Sequence, residues 1–171
     1  MSDYDKEIKL LIDEYLDISI ATKYQAIFPY WSKDIKIIKE AYKILDKYKD
    51  NKEIQKYPLA TAADRAAYDG SLDIVKFFYE KGEILCTNTG IDDAASQGHL
   101  DVLIWLLNNT SLKSTKFTLN NAIQMGQTEI VKYLLENNIS QIDKYSIPLA
   151  IKFNSNELLS YLIKYTKYRE L

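Results

Sequence analysis

The sequence predicts an all-α protein built from stacked pairs of short helices, and three observations support this. Five glycines and three prolines make up only 8 of the 171 residues, too few for the turns of a sandwich or barrel of short strands. Gly70, Gly98 and Gly126 recur at a spacing of 28 residues, a regularity typical of repeat architectures. The apolar residues after each glycine follow the helical period of 3.6 residues.

Composition and charge exclude several classes of protein. Apolar residues make up 47%, charged residues 27%, and the net charge is −2, as in ordinary globular proteins rather than disordered or strongly basic ones. The single cysteine (Cys86) excludes an internal disulfide, and the single histidine (His99) excludes a zinc site of His and Cys. The acidic start has no apolar signal core, and no uncharged apolar run reaches the roughly 18 residues of a membrane span. We expect a cytoplasmic protein with no membrane partner.

The first sixty residues predict a helical N-terminal cap. Apolar spacing indicates one helix over residues 4–17 and a second that begins at Ser32. The predicted apolar face of the second helix is Ile35, Ile38, Ala41, Tyr42 and Leu45. Residues 26–31 are interpreted as a degenerate repeat of shifted register, and residues 47–56 as a solvated link. Two roles stay open for residues 1–60: to cover the first clear repeat, or to dock separately on another protein.

Four repeats are predicted after this segment, over residues 61–88, 89–116, 117–144 and 145–171. Asn154 takes the glycine position of the last repeat, and asparagine is the residue that best replaces glycine in a left-handed conformation. Each glycine position follows a pair of small or aliphatic residues: Ala66–Ala67, Ala94–Ala95, Ala122–Ile123 and Ala150–Ile151. After it come an acidic column (Asp73, Asp101, Glu129, Glu157) and an aromatic column (Phe77, Trp105, Tyr133, Tyr161).

The columns have physical reasons. A short first helix, called helix A, runs to the glycine, which ends it in the left-handed conformation. A second helix, called helix B, begins at once, and its first turn carries the acidic residue where the helix dipole favours negative charge. Small alanines let the A helices of neighbouring repeats pack closely. Thr61–Asp64 and Thr89–Asp92 have capping-box spacing, while Thr118 and Ser146 are candidate caps in repeats three and four.

The segment from Gly90 to Leu107, GIDDAASQGHLDVLIWLL, resembles an ankyrin repeat, with its pattern T-P-L-H-x-A-A-x-x-G-H-L-E-I-V-x-x-L-L. The matching residues are Thr89, Ile91, Ala94, Ala95, Gly98, His99, Leu100, Val102, Leu106 and Leu107. The proline of the pattern is replaced by Ala62, Gly90, Thr118 and Ser146, and its first histidine by Asp64, Asp92, Asn120 and Pro148. The short repeat is similar to the divergent ankyrin repeats of protists and large DNA viruses. The resemblance implies an all-α solenoid of helix-turn-helix repeats with short linkers such as residues 108–113.

No motif in the sequence predicts catalysis. The glycines do not cluster into a phosphate-binding loop. A nucleophile–histidine pair would need His99, which occupies a position where ankyrin repeats commonly carry histidine, and Cys86 is expected to be an inert thiol in an inter-repeat loop. Asp92 and Asp93 point about 100° apart on a helix, so they do not form an acid–base pair. We expect Asp92 to cap its helix and Asp93 to be exposed.

The C-terminal segment is a weak candidate for nucleic-acid binding. Lys164, Lys167 and Arg169 alternate with Tyr165 and Tyr168, a pattern that mimics a basic and aromatic patch. Three positive charges are few against the 6–10 phosphate contacts of a typical DNA-binding protein. We therefore expect no nucleic-acid partner.

The resemblance implies a non-enzymatic module that binds another protein through the concave face of its A helices. The outward positions of helix A are the one before the small pair and the two after it. The predicted contact residues are Arg65, Tyr68, Asp69, Asp93, Ser96, Gln97, Asn121, Gln124, Met125, Lys152 and Phe153. Leu149 shares this pattern, and burial of Leu149 and Phe153 under the C-terminal tail is the alternative for these two. No cofactor, metal or small-molecule substrate is expected. Two other functions stay open: a viral or parasite factor that antagonises a host protein, and a self-associating structural component.

Overall fold

The computed structural model describes residues 34–36, 38–39, 42–43, 60–82, 86–153 and 155–169. This part of the chain contains helices and no strand, which confirms the predicted all-α class. The helices are α1 (Ala60–Tyr68), α2 (Leu72–Lys81), α3 (Asn88–Gln97), α4 (Leu100–Asn109), α5 (Lys116–Gln124), α6 (Thr128–Glu136), α7 (Ser146–Lys152) and α8 (Asn156–Arg169). The predictions for residues 4–17, 26–31, Ser32, 47–56 and Asn154 lie outside the described residues. The boundary at residue 60 and the four repeat limits stay predictions.

The chain divides into two compact units, the first made of residues 1–66 and 71–86 and the second of residues 67–70 and 87–171. In the first unit, Ile38 and Tyr42 are buried helical residues, and both belong to the apolar face predicted for this segment. The Tyr42 ring meets Phe77 of α2 edge-on, with 5.4 Å between ring centroids. Tyr42 of the N-terminal segment therefore packs against Phe77 of the first repeat.

The second unit consists of the helix pairs α3–α4, α5–α6 and α7–α8. Helix α5 packs against both α3 and α7, and each A helix also contacts its own B helix. Ala94, Ala95, Ala122 and Ala150 are at most 1% exposed, so the small side chains allow the close approach of A helices that the sequence predicts. The B helices supply the larger buried side chains: Leu103, Leu106, Ile130, Leu134, Leu135, Leu158 and Leu162. Burial of each such side chain contributes about 1.5–3 kcal/mol.

Glycine ends three A helices in the left-handed conformation, as predicted. The φ angles are +72° at Gly70, +87° at Gly98 and +70° at Gly126. The residue after each glycine donates its backbone amide to the carbonyl of the first residue of the small pair. In the second repeat this hydrogen bond joins His99 N to Ala94 O at 2.9 Å. This six-residue hydrogen bond is the Schellman motif. It turns the chain directly from helix A into helix B.

The start of helix A differs from the prediction in the first two repeats. Helix α3 begins at Asn88, and the hydroxyl of Thr87 accepts a hydrogen bond from the amide of Thr89 at 3.1 Å. Thr89 thus lies inside the helix, as does Thr61 in α1, and the two predicted capping boxes are wrong. A proline disfavours helix in the residue before it. Because this chain has no proline at that position, helix A extends further toward its N-terminus.

A reciprocal capping box begins the A helix of the third repeat, and a similar reciprocal pair of hydrogen bonds, between Asp143 and Ser146, precedes that of the fourth. Thr115 caps α5: its hydroxyl accepts from the amide of Phe117 at 2.9 Å, and its own amide donates to the Thr118 hydroxyl at 2.8 Å. In the next repeat the amide of Asp143 donates to the Ser146 hydroxyl at 3.1 Å, and the amide of Ser146 donates to Asp143 Oδ1 at 3.0 Å. Thr118 and Ser146 are therefore the second members of these pairs. The linker after α4 consists of residues 110–115.

Candidate functional site

The A helices of the second unit each expose one face, which we call the helix-A face. Its residues are Thr89, Asp93, Ser96 and Gln97 on α3; Phe117, Asn121, Gln124 and Met125 on or next to α5; and Tyr145, Leu149, Lys152 and Phe153 on or next to α7. Spacings of three and four residues bring side chains to the same side of a helix. Backbone hydrogen bonds from Leu149 N to Tyr145 O at 2.9 Å and from Phe153 N to Leu149 O at 3.0 Å align three of these residues in one row.

None of the eleven predicted contact residues is buried. Met125 is 53% exposed and Phe153 is 40% exposed, so the C-terminal tail does not cover Phe153. The Ser96 hydroxyl donates to the carbonyl of Asp93 at 2.9 Å and accepts from Gln97 Nε2 at 3.2 Å. Three polar residues of α3 thus interact within their own helix. Arg65 belongs to the first unit, and the other ten belong to the second.

Two aromatic residues of this face were not predicted from the sequence. Phe117 and Tyr145 are each 55% exposed, and they stand 28 residues apart. Each lies four residues before Asn121 or Leu149, so the spacing that defines the rest of the face also reaches them. Because the predicted A helices began too late, this four-residue spacing was not applied to Phe117 and Tyr145.

Three lysines lie beside the exposed rings. Lys116 Nζ is 5.0 Å from the ring centroid of Phe117, Lys144 Nζ is 5.0 Å from that of Tyr145, and Lys152 Nζ is 5.3 Å from that of Phe153. These distances fall within the range of cation–π contacts. Among the described residues, none of the three lysines forms an ion pair. The face on α5 and α7 is therefore both apolar and positively charged.

A cleft of about 250 Å³ lies beside Lys116 and extends to Asn120, Ser140 and Asp143. Burial alone would raise the pKa of the Asp143 carboxyl, but hydrogen bonds from Asn120, Tyr145 and Ser146 outweigh it and hold this pKa below its ordinary value. Asp143 is thus a carboxylate at neutral pH whose oxygens are already engaged by donors. The cleft adds polar groups next to the Lys116 and Phe117 pair.

Polar side chains between A helices connect neighbouring repeats. The two carboxylate oxygens of Asp92 accept from the hydroxyl of Thr115 at 3.0 and 2.9 Å, and Asp92 also accepts from the hydroxyl of Thr118. Asp92 therefore caps no turn of its own helix, contrary to the prediction, but holds the start of the next A helix. Asp93 is half-buried, where the sequence predicts an exposed side chain.

The next repeat uses the same positions with different chemistry. The Nδ2 group of Asn120 donates to Asp143 Oδ2 at 3.1 Å, and its Oδ1 accepts from the hydroxyl of Ser146 at 3.2 Å. Asn120 stands 28 residues after Asp92. Both residues thus connect neighbouring A helices.

His99 packs against the preceding repeat. Its imidazole ring lies against Gly70, and a Cβ atom at residue 70 would overlap the ring. His99, which the sequence predicts to have a structural role, thus occupies the space that a side chain at residue 70 would need.

Cys86 is a free, half-buried thiol. Burial and the charge of Asp64 raise its pKa from 9.0 to about 12. Because the thiolate is the reactive form, this shift lowers the thiolate fraction at pH 8 by about a thousandfold, and the fraction rises as pH increases toward 12. Cys86 should therefore react with Ellman's reagent at pH 8 about a thousand times more slowly than the urea-unfolded chain. Equal rates in the folded and unfolded chain would contradict this environment.

The C-terminal basic segment is only partly free. Lys164 and Lys167 are exposed, but the Tyr165 hydroxyl donates to the carbonyl of Leu135 at 2.8 Å. The side chains of Tyr168 and Arg169 lie outside the described residues. Tyr165 therefore joins α8 to the preceding repeat instead of offering an open stacking surface.

Two further properties concern the described part of the chain. No group of three or more His, Cys, Asp or Glu side chains is arranged to hold a metal ion there. No helix in the same residues has the length and apolar character that crossing a membrane requires.

A family model described as "Ankyrin repeats (3 copies)" matches residues 63–146 and 91–170, and no curated protein matches the chain. The matched residues include all the capping, glycine and alanine positions that build the helix pairs of the second unit. Ankyrin repeats are modules for protein–protein interaction and are typically non-enzymatic. The chain belongs to the ankyrin-repeat family.

Proposed function

We propose that this protein binds a partner protein through the helix-A face, the surface that stacked repeats present as their concave side. The proposed contact residues in the second unit are Tyr68, Asp69, Asp93, Ser96, Gln97, Phe117, Asn121, Gln124, Met125, Tyr145, Leu149, Lys152 and Phe153. Arg65, in the first unit, stays a prediction from the sequence.

The observation that carries this proposal is the concentration of exposed apolar side chains on one face. Seven large hydrophobic side chains are exposed in the described part of the chain, and four of them, Phe117, Met125, Tyr145 and Phe153, belong to the helix-A face. Clustered exposed apolar groups are costly in water and are characteristic of interaction surfaces. Aromatic residues are also enriched among the residues that dominate binding energy, and methionine adapts its shape to a partner.

The arrangement suits one continuous partner segment. Adjacent packed helices lie about 8–10 Å apart, so Phe117 and Tyr145, at equivalent positions of α5 and α7, are separated by about one such step. A single extended or helical segment reaches both rings. Polar residues of α3 border the aromatic region, which matches the apolar centre and polar rim of protein interfaces.

The test is affinity capture from a lysate of the source organism, and of its host where one exists, with wild type and the double variant Phe117→Ala/Tyr145→Ala side by side. We expect the variant to retain at least about tenfold less of the partner, because truncating one aromatic anchor typically costs about 2 kcal/mol. The control is Tyr79→Ala/Ile163→Ala, which removes two exposed apolar side chains from B helices. Circular dichroism checks that all three proteins are folded.

A partner that both wild type and the double variant retain equally would contradict the proposed face and move the site to the N-terminal residues or the opposite side of the repeats. If nothing is captured and the mass in solution rises with concentration, self-association replaces the proposal.

A further inference from the structure

We infer that the partner segment is acidic and apolar, with Asp or Glu side chains that pair with Lys116, Lys144 and Lys152 and apolar side chains that pack on the neighbouring rings. This inference rests on the proposed function and names the chemistry of the partner. We call its site the cation–aromatic patch, which consists of Lys116, Phe117, Lys144, Tyr145, Lys152 and Phe153.

The charges of the patch leave room for carboxylates from a partner. None of the three lysines forms an ion pair with a described residue. The acidic residue next to Lys144 is Asp143, whose carboxylate accepts from Asn120 Nδ2 at 3.1 Å and from the amides of Tyr145 and Ser146 at 2.8 and 3.0 Å. Its hydrogen-bonding capacity is thus used within the protein. The ammonium groups of the three lysines can therefore pair with carboxylates of a partner.

The position of Lys116 is unfavourable for the helix itself. It is the first residue of α5, where the positive end of the helix dipole disfavours a cation. The first turns of B helices carry the opposite charge, at Asp73, Asp101 and Glu129. A residue that opposes a local rule without an evident structural gain is expected at functional sites. Lys144 repeats the arrangement 28 residues later, again directly before an exposed aromatic residue.

The patch fits a peptide better than a nucleic acid. Three cations provide fewer than the 6–10 phosphate contacts of a typical DNA-binding protein. The carboxylate of Asp143 adjoins Lys144, and Asp93 lies on the same helix-A face. These negative charges repel a continuous phosphodiester chain, whereas a peptide can set single carboxylates against single lysines. A peptide also supplies the apolar side chains that the three rings require.

The experiment is a selection of random 12-residue peptides, displayed on phage, against the full chain. We expect the selected peptides to be enriched in Asp and Glu next to aromatic or aliphatic residues. The variant Lys116→Glu/Lys144→Glu/Lys152→Glu should bind them about tenfold more weakly or worse, since three exposed ion pairs are lost and reversed. The control Lys76→Glu/Lys164→Glu/Lys167→Glu reverses three exposed charges on B helices and should leave affinity unchanged.

Glutamate suits the helix start that Lys116 occupies but opposes the dipole at the last turn of α7, where Lys152 lies. A thermal melt therefore checks that the patch variant is folded at the temperature of the binding measurement. Peptides without an excess of acidic residues, or equal binding to the patch variant, would overturn the acidic partner. In that case, weaker binding of the selected peptides by Phe117→Ala/Tyr145→Ala would still support the proposed function. Unchanged binding by this variant would refute the proposed function as well. Selection of no peptide, together with binding of a 12-nucleotide thymidine strand, would overturn the inference in favour of single-stranded nucleic acid.

Discussion

Gly98→Val should destabilise the protein by about 2–3 kcal/mol, a loss that lowers the melting temperature by roughly 8 °C for a chain of this size. The left-handed backbone at Gly98, with φ of +87°, costs an L-residue about 1–2 kcal/mol. A Cβ atom there would also lie 2.6 Å from Gln127 Oε1. Displacement of Gln127 would break its hydrogen bond from Nε2 to the carbonyl of Ser96, at 3.0 Å, which adds about 1 kcal/mol. Urea and thermal unfolding followed by circular dichroism measure the effect.

The matched control is Gly126→Val at the equivalent position of the next repeat. Gly126 has a φ of +70°, but the nearest atom to a Cβ there is Ser155 Oγ at 3.9 Å. The free energy of unfolding of this variant should therefore fall only by the cost of backbone strain, about 1–2 kcal/mol. Equal losses at both glycines would show that the approach of Gln127 to Gly98 does not matter. No loss at either glycine would contradict the left-handed helix ends.

Asp92→Ala should cost about 2–3 kcal/mol, the second of the two largest effects. The carboxylate accepts hydrogen bonds from the hydroxyls of Thr115 and Thr118, and Thr118 is fully buried. Hydrogen bonds to charged groups contribute about 1.5–3 kcal/mol, and the buried hydroxyl would lose its acceptor. The free energy of unfolding in urea measures this cost.

Asp92→Asn is the conservative control, because it keeps one oxygen that can accept from these hydroxyls, and asparagine occurs naturally at the matching position, residue 120. We expect it to lose about 1 kcal/mol or less. An Asp92→Ala variant as stable as wild type would refute the stabilising role of this inter-repeat contact.

The sequence was sufficient to predict the architecture because its main determinants act locally. A glycine period of 28 residues, alanine pairs and helical apolar spacing each report on the conformation or burial of the residues that carry them. The left-handed Gly98 and the buried Ala94 and Ala95 agree with these rules. The same reasoning identified helix-A positions that are accessible, such as Met125 and Phe153.

The errors arose where partners are distant in the chain. Asp92 looked like a cap because the pattern of its own repeat was the only guide, while its partners Thr115 and Thr118 lie in the next repeat. The family pattern also fixed the start of helix A too late, so Phe117 was placed at the first position of the third repeat, before helix A, and its exposure on the helix-A face was missed. Sequence reasoning about one element does not reveal which groups of another element meet it.

The contacts between A helices also determine the order in which the repeats can stack. Asp92, an acceptor, meets the donor hydroxyl of Thr115, while the donor amide of Asn120 meets the acceptor Asp143. If the third repeat were skipped in a misfolded or shortened chain, the carboxylate of Asp92 would face that of Asp143. The Ser146 hydroxyl has only one hydrogen for the two carboxylates, and these like charges repel each other. The junctions are therefore not interchangeable, and this chemistry disfavours out-of-register assembly of units that otherwise share one architecture.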